Sequence, residues 1–266
     1  MKKLTTLLLS LTLCSTVLMG CSQSSQKETL TVGMELAYPP FETKDEAGNP
    51  TGISADFMKD FGEYIGKDIR IENVSWDGLI PSLQTGKVDM VMSSMTITDE
   101  RKETVDFSIP YANAMLAVLS NKDSNVESVD DLNKEGMTLA VKTGSTGYLY
   151  AKEHLTKANI VALPDESACV TEVTQGKADG FIYDQLTIYR NHMNNQETTK
   201  AIFIPFQEAD QWGIAVKKGN TELKKQLDEF ITQYQKDGGF DKLSDKYLSK
   251  EKEDFKKLGF TWFFDL

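Results

Sequence analysis

From Thr29 onward the chain alternates short apolar runs with longer stretches whose apolar residues recur at helical spacing, and this rhythm constrains the fold more than any other feature. Residues 30–33 read as a strand and 56–65 as a helix with Phe57, Phe61 and Tyr64 on one side. Residues 69–74 and 89–92 read as strands around a helix near 79–84, and Thr98 opens a capped helix carrying Arg101. A second cycle begins after Tyr111. It places strands at 114–120, 138–142, 160–163 and 180–183, and helices at 129–132, 146–155 and 167–174. Strands at 203–205 and 213–216 and an amphipathic helix at 222–234, with Leu223, Leu227, Phe230 and Ile231 inward, complete the series. Such alternation predicts an α/β fold with a largely parallel sheet.

Two junctions resemble each other: Gln84-Thr85-Gly86-Lys87-Val88-Asp89 and Thr174-Gln175-Gly176-Lys177-Ala178-Asp179. Each reads as a helix end, a glycine suited to a left-handed position and the entry to an apolar strand. The pair predicts two lobes of one architecture.

The N-terminus carries an address. Lys2 and Lys3 precede an apolar run over 4–19, too short for a membrane span and patterned as a secretory signal. It ends in Leu18-Met19-Gly20-Cys21, which resembles the lipobox of bacterial lipoproteins. That resemblance implies a signal peptide over 1–20, palmitate or a similar lipid on Cys21, and a flexible tether over 21–28. Attachment to the outer face of the cytoplasmic membrane follows, with lipid as the anchor.

Several functions are disfavoured by what is present. Acids outnumber bases by 40 to 29, so a nucleic acid meets net repulsion, and no nucleic-acid partner is expected. Cys169 is the one cysteine of the body, and His154 and His192 read as surface helix residues, so neither a disulfide nor a metal is expected. Motifs for serine hydrolysis, phosphoryl transfer and dinucleotide binding are missing, and no cofactor is expected.

What remains suits the grip of a small ligand. Glu35-Leu36-Ala37-Tyr38-Pro39-Pro40-Phe41 follows the first strand, where two prolines force a turn and ligands of open α/β sheets sit. Tyr38 and Phe41 there serve either as packing under a loop or as a cleft wall. A second turn, with Ser93, Ser94 and Thr96, offers backbone N–H groups to an anion. Arg101 lies in the next helix's first turn, where the dipole disfavours a cation, so it needs a partner: a ligand carboxylate or Asp106. Thr143, Ser145 and Thr146 form a similar turn. Asp184 ends a buried strand, placed to cap a helix or to hold an ammonium.

Five motifs in order, VGMELAYPPFE, WDGLIPSLQTGKVDMVMSSMTITDERKETVDFSIPY, VKTGST, GKADGFIYD and WGIAVKKGN, resemble the extracytoplasmic solute-binding proteins of polar amino-acid ABC transporters. The resemblance implies a two-lobed Venus flytrap that closes on its ligand. One lobe spans 29–113 and 210–266, the other 114–209 with hinge strands at its ends. It implies that Arg101 clamps the ligand α-carboxylate, helped by N–H groups near Thr96 and Thr146. Asp184, the Ser94 carbonyl and the Thr96 hydroxyl hold the α-ammonium, Tyr38 and Trp76 sandwich the side chain, and Glu35 meets its distal end. Lys142 and Gly147 fill positions that often line the side-chain pocket, and Trp212 stands where tyrosine is frequent. Arginine, lysine and glutamine lead as ligands, delivered by a monomer to an ABC permease. Rival readings are a cyclohexadienyl dehydratase-like enzyme on the same fold and a sensory domain presenting ligand to a signalling partner.

Overall fold

Strand β1 (Thr29–Met34) is buried from Leu30 to Met34, because parallel strands cover both of its edges and apolar clusters both of its faces. The computed structural model describes residues 27–203 and 205–266. The signal peptide, Cys21 and most of the tether therefore lie outside the described residues. A small hairpin, β2 (Thr43–Lys44) and β3 (Pro50–Thr51), leads into α1 (Ile53–Ile65), whose Phe57, Met58 and Phe61 face inward. Then follow β4 (Asp68–Asn73), α2 (Leu79–Gln84), β5 (Met90–Val91), α3 (Asp99–Thr104) and β6 (Val105–Phe107). Strand β7 (Ala112–Ala114) leads out of this unit.

The second unit runs β8 (Leu116–Asn121), β9 (Thr138–Lys142), α4 (Thr146–His154), β10 (Asn159–Leu163), α5 (Glu166–Thr174), β11 (Gly180–Asp184), α6 (Gln185–Asn194) and β12 (Thr199–Ile202). The chain returns through β13 (Asp210–Trp212), antiparallel to β7, and β14 (Ala215–Lys217). It ends in α7 (Thr221–Lys236), α8 (Gly239–Tyr247) and α9 (Ser249–Leu258).

Each unit is built on five strands in the same pattern. In the first sheet, of order β4-β1-β5-β14-β6, three parallel strands are followed by an antiparallel one and then its own antiparallel partner. The second, of order β10-β9-β11-β8-β12, repeats this arrangement. The two similar junctions occupy equivalent places in it. Gly86 and Gly176 adopt left-handed φ values of 76° and 69°. Lys87 N–H donates to the Ser82 carbonyl and Lys177 N–H to that of Glu172, each at 2.9 Å. Asp89 and Asp179 each accept from a backbone N–H of the neighbouring strand, Thr31 near the start of β1 and Thr138 at the start of β9, at 2.7 Å.

Apolar clusters cover both faces of both sheets. The largest joins α1, α7, α8 and the terminal Trp262, Phe263 and Phe264, with Phe57 stacked on Phe240 at 5.4 Å. Cys169 is buried and free. Three expectations shift. The strand read at 203–205 lies instead at Thr199–Ile202, because Ile202 is the last residue registered with β8 and Pro205 has no N–H to extend the ladder. Tyr64 leaves the inward face of α1 and is 45% exposed. Helices α8 and α9 were not foreseen; α9 buries Phe255 alone, too little to show a period.

Gly147, in the first turn of α4, sits so close to β11 that a Cβ there would stand 2.3 Å from the Ile182 carbonyl oxygen. Gly147→Ala is expected to push the two elements apart and cost about 1–3 kcal/mol. Urea denaturation should show a lower midpoint with unchanged slope; an unaltered midpoint would refute the tight contact.

Candidate functional site

The C-terminal ends of the central strands of both sheets face one another across a cleft. Loops after β1, β5, β9 and β11 therefore converge on it, the position where open α/β sheets hold ligands. The cavity there measures about 40 Å³. It is lined by every candidate residue from the sequence except Thr143: Glu35, Tyr38, Trp76, Ser93, Ser94, Thr96, Arg101, Ser145, Thr146 and Asp184, joined by Tyr183 and Trp212. Thr143 is exposed, and both its N–H and its hydroxyl donate to the Leu163 carbonyl, so it anchors β9 to β10 and turns away from the cleft.

The loop after β1 is held from within. Glu35 N–H donates to the Ser93 hydroxyl at 2.9 Å and Leu36 N–H to the Asn73 side chain at 3.1 Å. Phe41 is fully buried against Tyr38, Trp212 and Phe263, which makes it core. Tyr38 does both tasks left open by the sequence: its ring stacks on Phe41 at 5.4 Å while the residue lines the cavity.

Arg101 is 9% exposed, and no carboxylate among the described residues lies within salt-bridge distance of it. Asp106 pairs with Lys218 instead, at 2.9 Å. The guanidinium donates to the carbonyls of Thr96 at 2.6 Å and, from the other unit, Gly144 at 3.0 Å. It also lies 5.3 Å from the Trp76 ring centre, a cation–π distance. Burial lowers its pKa to about 10, with the Asp210 charge pulling the other way.

Asp184 divides its two oxygens. Oδ1 caps α6, accepting from the N–H groups of Leu186 at 3.0 Å and Thr187 at 3.1 Å. Oδ2 is buried with no hydrogen-bond partner, as is the Tyr38 hydroxyl. Buried polar atoms are nearly always paired, so this neighbouring carboxylate oxygen and hydroxyl mark a place where further polar partners are wanted. Burial raises the Asp184 pKa, opposed by the hydroxyls of Thr187 and nearby Tyr38 and by the N–H groups of the cap.

Glu35 forms an ion pair with Lys142 of the other unit, and the two side chains are 12% and 5% exposed. The Lys142 ammonium also lies 5.3 Å from the Trp76 ring centre. The units are further joined at the rim, where Arg190 of α6 pairs with Glu251 of α9 at 2.8 Å and donates to the Pro39 carbonyl at 2.9 Å. Two further residues carry no site signal in the sequence: Tyr183, which ends the strand read at 180–183, and Glu42. The Glu42 carboxyl is fully buried and bonded to the Ser54 hydroxyl and, at 3.1 Å, to that of Ser94. Ser94 has a left-handed φ of 46°, an uncommon conformation for a side-chain-bearing residue, and Glu42 holds it there.

Burial pushes Glu42 up to about 8 from 4.5, more than its two hydroxyl partners offset. The folded state thus binds a proton that the unfolded state releases between these values. The stability this proton confers is full below about 4.5 and lost as the pH rises through about 8. Glu42→Gln, neutral throughout, is expected to gain thermal stability over the parent from pH 5 to 9. Parallel melting curves across that range would contradict the assignment.

Among the described residues, no group of three or more His, Cys, Asp or Glu is arranged to hold a metal. A buried cation on one unit and a buried carboxylate with a free oxygen on the other can together receive a molecule carrying both charges. The sequence matches the model of the bacterial extracellular solute-binding proteins, family 3, over residues 30–250. It is 27% identical to the L-cystine-binding protein TcyJ of Escherichia coli over 85% of each chain. It is 32% identical to a probable histidine-binding protein of Neisseria gonorrhoeae over 83% of each. In structure it resembles the ancestral amino acid-binding protein AncCDT-1, described as a precursor of cyclohexadienyl dehydratase, with a TM-score of 0.75, 37% identity and coverage of 82% of this chain and 95% of that one. With this two-lobed architecture and these relatives, the chain belongs to family 3 of the bacterial extracellular solute-binding proteins and is a binding protein, not an enzyme.

Proposed function

We propose that the protein captures a free polar amino acid outside the cytoplasmic membrane and delivers it to an ABC permease, its lobes closing around the zwitterion. The observation that carries this reading is the placement of Arg101 and Asp184. Both are buried, they come from opposite lobes, they line one cavity, and among the described residues neither has an oppositely charged side chain within ion-pair distance. An amino acid's α-carboxylate and α-ammonium supply what each lacks. Taking two charges out of water costs several kcal/mol unless both are paired, so binding is favourable only when the lobes meet. The ligand thereby shifts the population toward the closed form, a shape that a permease can distinguish from the open one.

The antiparallel pair β7 and β13 connects the lobes and suits the hinge. Lipid on Cys21 and the tether to residue 28 would keep the lobes within reach of the permease. The family places the protein on the extracytoplasmic side; the lipid belongs to this proposal. Glu35, read alone, favours arginine, lysine or glutamine. The relatives named for cystine and histidine support the view that side-chain preference varies on a constant zwitterion grip.

Arg101→Ala removes at least two charge-assisted hydrogen bonds, each contributing roughly 1.5–3 kcal/mol. A thermal-shift screen of the twenty common amino acids should find the ligand through its stabilisation of the folded state. Titration calorimetry should then show binding weakened about 100-fold or more in Arg101→Ala and Asp184→Ala. Affinity within twofold of the parent in either variant would remove the zwitterion grip.

A further inference from the structure

The charges of the cleft fall into two sets. Arg101 and Asp184 await charges from outside, whereas Glu35 and Lys142 have found each other across the lobes. We infer that the Lys142–Glu35 pair neutralises the side-chain end of the cleft, so that the ligand is an amino acid with an uncharged side chain bearing both a donor and an acceptor, a carboxamide above all. The inference rests on the amino-acid reading above and deepens it.

The physical case is one of competition. A cationic side chain aimed at Glu35 meets an ammonium already there. Displacing it leaves Lys142, whose side chain is 5% exposed, as an uncompensated buried charge, the costly way to break such a pair. Keeping it gathers a third cation at Trp76, whose ring already has Arg101 and Lys142 each at 5.3 Å. Among the described residues, the other acids nearby, Glu42, Glu166 and Asp210, do not line the cavity, and the Asp210 charge already acts on Arg101. Glu42 is enclosed by the Ser54 and Ser94 hydroxyls, and burial keeps it protonated at neutral pH. Glu166 accepts from Asn191 at 3.1 Å and is pushed up to about 7, chiefly by burial. An anionic side chain faces the mirror difficulty at Glu35. A carboxamide disturbs neither partner: its N–H groups can donate to Glu35, and its carbonyl oxygen can accept from Lys142.

Calorimetry with glutamine, asparagine, arginine, lysine and glutamate, on the parent and on Lys142→Met, Lys142→Arg and Glu35→Gln, tests the inference. The parent should bind an amide amino acid more tightly than arginine, lysine or glutamate. Lys142→Met should move the ratio of arginine or lysine affinity to glutamine affinity upward by at least about tenfold, and Glu35→Gln should move the glutamate ratio the same way. Lys142→Arg, which keeps the pair, should preserve the parent's order. Parent protein that prefers arginine or lysine, with that binding lost in Arg101→Ala, overturns this inference and leaves the zwitterion grip standing. Parent protein that binds none of the common amino acids overturns both. If the charge-removing variants fail to fold, the parent's own order of ligands decides.

Discussion

Charges withdrawn from water must find partners, and the cleft of this protein is organised by that requirement. Four charged side chains are buried there. Glu35 and Lys142 meet it between themselves. Arg101 meets it in part, with the carbonyls of Thr96 and Gly144 and the face of Trp76, and Asp184 in part, with the N–H groups that begin α6. Dipoles compensate a buried charge less well than an opposite charge does, so the site holds an unsatisfied electrostatic demand of fixed geometry. On the proposed reading, a zwitterion meets it without any chemical change.

The surrounding structure keeps these groups in place. Glu35, Lys142 and Asp184 stand where parallel strands end and Arg101 in the first turn of α3, and hydrogen bonds within each lobe fix them. Ser93 holds Glu35 by its backbone, Glu42 and Ser54 hold Ser94 in a strained conformation, and the cap of α6 fixes the rotation of Asp184. The aromatic cluster of Tyr38, Phe41, Trp212 and Phe263 underlies the first loop and joins it to the returning strand β13. Rigid loops on separate lobes keep the charges pre-set within each lobe.

Much of the site could be read in the sequence because its signals were local. A glycine and hydroxyl turn after an apolar run, a lone arginine in a helix's first turn and an acid at a strand's end carry meaning without knowledge of neighbours. Thr143 shared that local pattern and yet faces Leu163, since one peptide's difference in direction separates a cleft residue from a strand anchor. Glu42 showed no local signal at all. Its neighbours in sequence suggest an exposed acid, and its burial arises from Ser94, 52 residues away, and the packing of the loop around it. Helix α9 was hidden for the related reason that its one buried residue has no periodic companion.

Taken alone, the sequence determined the α/β alternation and the doubled architecture marked by Gly86 and Gly176; opposite grips at Arg101 and Asp184 were implied only by the resemblance of five ordered motifs. The alternation and the doubling depend on backbone propensity and on spacing within a single strand–helix unit. Only the tertiary structure decided that Glu35 and Lys142, 107 positions apart, neutralise each other. Whether a buried charge is free or spent depends on what the other lobe brings to within a few ångströms, and no local pattern contains that distance.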